Sequence, residues 1–424
     1  MNILHVCTHY WPSIGGIENY IREISERLAA EGHRVQVAAG DAFDSDAVWN
    51  PAGRRMASGE AEHAGVRIRR FAVRYPPLSP QLPLAWRVRA LPLLAALPLP
   101  PRLLSRLSRC TPWIPGLVRW LRTAPPQFNV IAVTGIFHDN LVEAAAAYSH
   151  RCRARLLVYP FTHLGAGVAP GRDSVSRNYT MRHQLALLKT ADAVIAMTPT
   201  ERDYYVRQGL APGAVHVAGA GANPLGPAEI GDAGRFRDRH GIRGPVVAFL
   251  SSVTPDKGAG HLLEAARRLW REGSPLHLVL AGKSSRQFDR LLAGLSAAEV
   301  GRLHLLGAIS EPEKHDLLAA ADVVAMPSRT DSFGIVFLEA WLHRKPVVGS
   351  TAWGMSDLIA DGGDGCLVPF GDVPTLAGAL ANLLARPELC AAMGERGERK
   401  VLSQYTWDRV YARVRPLYEP CASC

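Results

Sequence analysis

The chain has 424 residues, 48% of them hydrophobic and 20% charged, which is room for two or three domains and too apolar a balance for a disordered chain. No window reaches the roughly 18 uncharged apolar residues that a bilayer span needs. The opening "MNILHVCTHYWP" lacks the basic start and long apolar core of a signal peptide, so a cytoplasmic protein is expected.

A strand-like "NILHV" comes first, followed by a helix from Ile17 to Glu31 in which Ile17, Ile21, Ile24 and Leu28 recur at helical spacing. Glu18/Arg22 and Glu23/Arg27 form i,i+4 pairs along it, and Gly32 can cap its end. The "SIGG" turn between strand and helix reads as a phosphate-type loop, because a helix start presents free backbone N–H groups. After the second strand, "RVQVAA", the spacing "DSD" at Asp44–Asp46 is one that can hold a divalent cation, yet it lies far from other acids and is read as a solvated loop.

From His63 to His138 there is no Asp, Glu or Lys, but there are eleven Arg, at 67, 69, 70, 74, 87, 89, 102, 106, 109, 119 and 122, enough to account for the net charge of +10. Trp86, Trp113 and Trp120 interleave with them, and Arg102, Arg106 and Arg109 recur at i, i+4 and i+7, the pattern of a helix with a basic face. A basic amphipathic insertion at about residues 76–126 is expected. Nucleic acid, a phosphorylated acceptor or an anionic membrane could be its partner. The interleaved Trp and Leu, with no nucleic-acid motif beside them, favour the membrane surface. The plain alternative is a set of helices packed on a sheet with a solvated Arg face.

Further strands follow as "RLLVY", "DAVIAM", "PVVAFLS", "LHLVLAG", "RLHLLG", "DVVAMP" and "PVVGS", separated by helical patterns, which implies α/β architecture with parallel sheets. The pattern loosens between Val217 and Pro245 into Gly, Pro and Ala. Residues 1–222 therefore read as one Rossmann-like domain, 223–245 as a linker and 246–404 as a second Rossmann-like domain, the two facing across a cleft. Residues 405–424, with "YTWDRVYARVRPLY", read as a helix and tail crossing back to the first domain. The tail's "CASC" at Cys421–Cys424 has no second pair with which to bind zinc, and seven scattered cysteines suit reduced thiols.

"SRTDSFGIVFLEAWLHRKPVVGS", from Ser328 to Ser350, places Asp331 in a polar loop and Glu339 inside an apolar helix. Such a Glu can pair with a nearby cation in the fold or serve a ligand. With "ADVVAMPS" before it and "PVVGS" after, the stretch is one βαβ unit, and the loop Thr330 to Ile335 looks like a phosphate cradle.

"DSFGIVFLEA", the "PDKG" after the first strand of the second half and "IGGIENYIREISERLAAEGHRV" resemble the retaining GT-B glycosyltransferases of family 4. "ADAVIAMTPTERDYYVRQG", "LHLLGAISEPEKHDLLAAADVVAMPS" and "DGGDGCLVPFGDVPTLAGALANLL" match the family in order and spacing, so the likeness spans nearly the whole chain. By this resemblance Glu339 binds the ribose hydroxyls of a sugar nucleotide, and Asp331, where Glu is commoner, holds the donor sugar. Ser332, Phe333, Gly334 and Ile335 offer N–H groups to the diphosphate, and Lys257 neutralises the leaving diphosphate. Ser252 stands where the family usually has Arg. Gly15 and Gly16 match the glycines that let the first loop approach the donor, and His163 matches a histidine beside donor sugar and acceptor, with His138 a second choice.

What the resemblance implies is transfer of a hexose-type sugar from a nucleoside diphosphate to an acceptor hydroxyl with retention. The donor would need no metal and no further cofactor. The acceptor is a sugar or a lipid-linked group, in polysaccharide or glycolipid synthesis, with the protein peripheral on the inner face of a membrane and no nucleic acid as partner. A nicotinamide-dependent oxidoreductase shares such halves, but neither loop is a GxGxxG with an acid about 20 residues on. A catalytically weakened protein that binds a sugar nucleotide as a partner subunit is the other reading, on the strength of Ser252 and Asp331.

Overall fold

The computed structural model describes residues 1–13, 15–76, 79 and 82–419, so the expectation for Cys421–Cys424 lies outside the described residues. The chain divides into two compact units: Met1–His163, Gly171–Gly219 and the chain from Tyr411 form the first, and Leu164–Pro170 with Ala220–Val410 the second.

In the first unit β-branched and apolar runs build an eight-stranded sheet. Its strands are β1 (Asn2–Val6), β2 (Arg34–Gly40), β3 (Gly59–His63), β4 (Val66–Phe71), β5 (Val130–Thr134), β6 (Arg155–Tyr159), β7 (Ala193–Ala196) and β8 (Val215–Val217). They lie in the order β3-β4-β2-β1-β5-β6-β7-β8, all parallel except that β3 runs against β4. β5 is buried along its whole length, as a parallel strand covered on both faces must be. β1 lies between β2 and β5, so strand order reverses at its side.

The second unit carries β9 (Val246–Leu250), β10 (His277–Ala281), β11 (Leu303–Gly307), β12 (Val323–Met326), β13 (Val347–Ser350) and β14 (Gly365–Val368). The order is β11-β10-β9-β12-β13-β14, parallel throughout. Here the reversal falls beside β9, between β10 on one side and β12 on the other. Ligands of open α/β sheets bind outside the carboxyl ends of strands at such a reversal.

Four expectations change. The run 223–245 is no linker: it belongs to the second unit, where Asp232 caps a helix at Ala233–His240 and Arg235 grips the buried Asp316 with bonds of 2.7 and 2.6 Å. The first unit ends at Gly219 rather than 222, and it loses Leu164–Pro170, which joins the second unit because Trp353 donates through N and Nε1 to the carbonyls of Gly165 and Gly167. The returning helix, Trp407–Val414, leaves the second unit only at Tyr411. There Tyr418 is buried, its hydroxyl 3.0 Å from Tyr159 Oη and from His5 Nε2.

Finally, Glu18 does not pair with Arg22 along its helix, Gly16–Ala30, but turns to His9. Glu23 and Arg27 do pair.

The arginine-rich stretch folds as short helices, among them Leu91–Ala96, Pro101–Ser108 and Pro115–Thr123. Leu91, Ala95, Leu104 and Met181 form its own small core. Its arginines do not act as one charge. Arg87 is fully buried and bonds Asp139 at 2.5 Å, with His183 3.0 Å from the same carboxylate oxygen. Burial alone would raise the Asp139 pKa, but Arg87 and His183 hold it down at about 2. Arg70 is buried too and donates to the carbonyl of Trp11, whereas Arg89, Arg102 and Arg106 face solvent.

Candidate functional site

At the reversal in the second unit, β9 runs into a turn at Pro255–Lys257 and β12 into the loop that opens the helix Ile335–Leu342. The two loops are pressed together. A Cβ on Gly258 would overlap the carbonyl oxygen of Pro327, and Arg329 N donates to Asp256 O at 2.7 Å. This close approach sets Lys257 Nζ 2.7 Å from Asp331 Oδ2, the side chains 23% and 15% exposed. The other carboxylate oxygen of Asp331 accepts from Phe333 N at 3.3 Å.

Gly334 precedes the helix in a left-handed conformation, φ 94°, and Phe337 N bonds back to its carbonyl at 3.0 Å, while the amides of Ile335 and Val336 stand at the helix start, where no preceding turn supplies an acceptor. Fixed N–H groups and a helix dipole beside a lysine suit an anion of phosphate type.

Glu339, one turn into that helix, is not sealed in the core, since 28% of its side chain is exposed, and it does not wait for a partner. Lys314 Nζ, from the helix Glu311–Ala320, lies 2.7 Å from its Oε1. Burial pulls the Lys314 pKa down, but Glu339 and Glu311 outweigh it and leave it raised. Ser252 is exposed at the end of β9 with its carbonyl bonded by Thr254 N. Arg329 approaches the Lys257 turn, with Nη1 4.0 Å from Asp256 Oδ1.

In the first unit, Gly15 and Gly16 stand where the loop after β1 becomes a helix. A Cβ on Gly15 would overlap Glu18 Oε2, so the space this glycine leaves is filled by the chain's own carboxylate. Glu18 Oε1 in turn lies 2.6 Å from His9 Nε2, both residues buried. Burial raises the Glu18 pKa, yet His9 draws it below the ordinary value. Across the reversal, Thr8 Oγ1 meets His138 Nδ1 at 2.6 Å. Desolvation, with the charges of His9 and Arg87, lowers the His138 pKa to about 3, which makes it a neutral ring.

His163 follows β6 and stacks on Tyr179, ring centres 4.8 Å apart and 3° from parallel. Tyr179 touches Phe137 at 5.3 Å, and Trp49 lies 6.1 Å from His138, giving a row of rings over the strand ends.

Asp44 is a helix cap, accepting from Ala47 N at 2.8 Å, and Asp46 reaches Asn50, so neither is held in readiness for a cation. Among the described residues no three His, Cys, Asp or Glu side chains converge on a metal position. Their cysteines are free: Cys7, Cys110, Cys152, Cys366 and Cys390.

Lys257, Asp331, Ser332, Phe333, Gly334 and Ile335 thus gather at one pair of strand ends, with Glu339 one turn beyond. Lys314 was missed beside this site, and so was the buried His9–Glu18 pair that fixes the loop after β1 in the first unit. His9, close behind the end of β1 at Val6, was a visible signal for the pair; nothing in the sequence paired Lys314 with Glu339.

Residues 15–221 match the glycosyl transferase 4-like domain, and residues 233–400 match the glycosyl transferases group 1. The chain belongs to family 4 of the GT-B glycosyltransferases. Among relatives of this family 4 chain, an MMP alpha-(1->4)-mannosyltransferase of Mycolicibacterium hassiacum is 31% identical over 43% of the chain and 45% of that protein. A GDP-mannose-dependent alpha-(1-6)-phosphatidylinositol monomannoside mannosyltransferase of Mycolicibacterium smegmatis is 34% identical over 43% and 50%. The chain spans about half the length of these curated relatives.

Of solved structures, Anabaena HepE in complex with UDP superposes with TM-score 0.69 at 18% identity, over 98% of this chain and 99% of that one. The sucrose-phosphate synthase of Thermosynechococcus elongatus reaches 0.71 at 21%, over 98% of each. These likenesses show the GT-B fold, two Rossmann-like units, for the family 4 chain.

Proposed function

We propose that this protein moves a hexose-type sugar from a nucleoside diphosphate to an acceptor hydroxyl with retention of configuration, in the synthesis of a polysaccharide or glycolipid. The observation that carries this reading is the Lys257–Asp331 pair at the reversal of strand order. A 2.7 Å ion pair whose partners keep 23% and 15% exposure is one a ligand can reach and exchange. An arriving diphosphate takes the lysine, and the carboxylate so released accepts hydrogen bonds from the donor sugar.

The amides of Ser332, Phe333, Gly334 and Ile335 hold the phosphate oxygens, and Glu339 accepts from the ribose diol, two hydroxyls that match one carboxylate. His163 and the turn at Gly15 and Gly16 serve the transfer from the first unit, which takes the acceptor. As the bond from the sugar C1 to the phosphate oxygen breaks, charge builds on that oxygen, where Lys257 stabilises it. The acceptor oxygen then bonds C1 on the same face and its proton passes to the leaving phosphate. No side chain need act as nucleophile and no metal takes part. Arg329, paired with Asp256 of the Lys257 turn, is assigned to compensate for Ser252.

We assign the exposed part of the arginine-rich stretch to an anionic membrane surface, which places the protein peripherally on the cytoplasmic face. Trp86, Leu93, Leu97, Leu103 and Trp113 are exposed there beside Arg89, Arg102 and Arg106. Such a mixture suits a headgroup boundary.

Incubation with UDP-, GDP- and ADP-hexoses tests the enzymatic reading. One donor should be hydrolysed or transferred at the same rate with and without EDTA, and its sugar released with the anomeric configuration it had in the donor. Inverted product, or turnover lost on chelation, contradicts the mechanism.

A further inference from the structure

Lys314 sits between two carboxylates, Nζ 2.7 Å from Glu339 Oε1 and 2.7 Å from Glu311 Oε2. Its side chain is only 19% exposed, while that of Glu311 is 65% exposed, so the bond that matters inside the fold is the one to Glu339. Both elements are firmly placed. Ser310 caps the lysine's helix by accepting from Glu313 N, and Glu313 returns a carboxylate oxygen to Ser310 N at 3.1 Å. The glutamate's helix is anchored by the buried Phe337, Leu338, Ala340 and Trp341.

A charge-assisted bond between side chains on two fixed helices costs little further ordering and selects one rotamer of the carboxylate. It occupies Oε1 and leaves Oε2, with the remaining lone pairs, for another donor.

We propose that Lys314 is the positioning residue for Glu339, holding its carboxylate turned so that Oε2 meets the vicinal hydroxyls of a nucleotide ribose. The proposal rests on the ribose reading of Glu339 given above. Lys314 itself touches no part of the nucleotide. Its effect is read as ribose selectivity: without it the carboxylate swings into solvent and the diol is no longer distinguished.

Calorimetric titration of UDP and GDP and of their 2′-deoxy counterparts separates the cases, using the full chain, Lys314→Met, Lys314→Arg, Glu339→Gln and the double variant Lys314→Met/Glu339→Gln. The wild-type protein should prefer a ribonucleotide over its deoxy form by about tenfold, the scale of one hydrogen bond to a charged group. Lys314→Met should lose most of that preference, Lys314→Arg should regain part of it, and the double variant should be no worse than Glu339→Gln. A Lys314→Met protein that melts lower but keeps the preference reduces the lysine to a structural ion pair and leaves the ribose reading standing. If Glu339→Gln keeps the preference, or no nucleotide binds the wild-type chain, the ribose reading fails and the positioning role with it.

Discussion

The two strand-order reversals of this chain are built alike and furnished differently. Beside β9 the loops bring Lys257 and Asp331 together within reach of solvent, while one turn further Lys314 holds Glu339 from a neighbouring helix. Beside β1 the polar groups are buried and bonded to one another: His9 to Glu18, Thr8 to His138, and below them Asp139 to Arg87. An ion pair near solvent is worth little to stability and can be exchanged for a ligand. A buried pair cannot be opened without leaving a charge unsatisfied. The same topology can therefore present a site in one unit and lock a scaffold in the other.

Breaking the lock should have the largest effect. Arg87→Met leaves Asp139 without its cation in a fully buried place, and should cost about 3–5 kcal/mol in the urea unfolding of the first unit. Nucleotide affinity, which belongs to the second unit, should not change.

Lys257→Ala should show the converse. Loss of one group aimed at the leaving charge should lower turnover by about 100-fold or more, with only a small drop in melting temperature, since both partners of the broken pair are partly exposed and water can solvate the remaining carboxylate. Normal turnover in this variant would remove Lys257 from the site.

A smaller effect is expected from Gly15→Ala. The added methyl meets Glu18 Oε2 and forces the carboxylate to shift, which weakens the bond its other oxygen makes to the buried His9, at about 1 kcal/mol of stability. If the glycine served only the approach of a donor, stability would be unchanged.

Acid should distinguish the units more gently. His5 and His138, both of the first unit, have pKa values lowered from 6.5 to about 3 by burial, so as pH falls below 6.5 the unfolded chain takes up protons that the folded chain refuses, and stability declines until about pH 3. Glu201, raised to about 7 by burial, acts in the opposite direction between 4.5 and 7, because there the folded form binds the extra proton. The decline should thus be plainest below pH 4.5, at about 1.4 kcal/mol per pH unit for each histidine at most. In the second unit His304 and His343 are lowered only to about 4. Hydrogen exchange followed from pH 6.5 to 3.5 should show the protection of the first unit's core falling most steeply below pH 4.5, and protection that stays flat there would contradict the assignment of these neutral histidines.

Much of this was readable from residue order. Short β-branched runs between helices imply parallel sheets, and Lys257, Asp331 and the Ser332–Ile335 loop each follow a strand closely enough to be placed at its carboxyl end. What could not be read depends on side chains meeting across distant elements. Glu339 looked like a buried charge because its neighbours Leu338 and Ala340 are apolar, but only the placement of the helix Glu311–Ala320 shows Lys314 beside it. Arg87 looked like one of eleven equal charges until Asp139, 52 residues on, proved to be its partner. The Gly- and Pro-rich run before β9 resembled a linker because glycine and proline mark turns wherever they occur, whether or not the segment between them packs. Here Arg235 on Asp316 ties it down.

On this reading the second unit holds a nucleoside diphosphate through Lys257 and the loop Asp331–Ile335. Calorimetric titration of UDP, GDP and ADP into the wild-type chain and Lys257→Ala tests it most directly. One nucleotide should bind the wild-type chain, and the variant should bind it at least about tenfold more weakly, as for loss of a charged hydrogen bond. Equal affinity in the two proteins, or binding of none of the three, would contradict it.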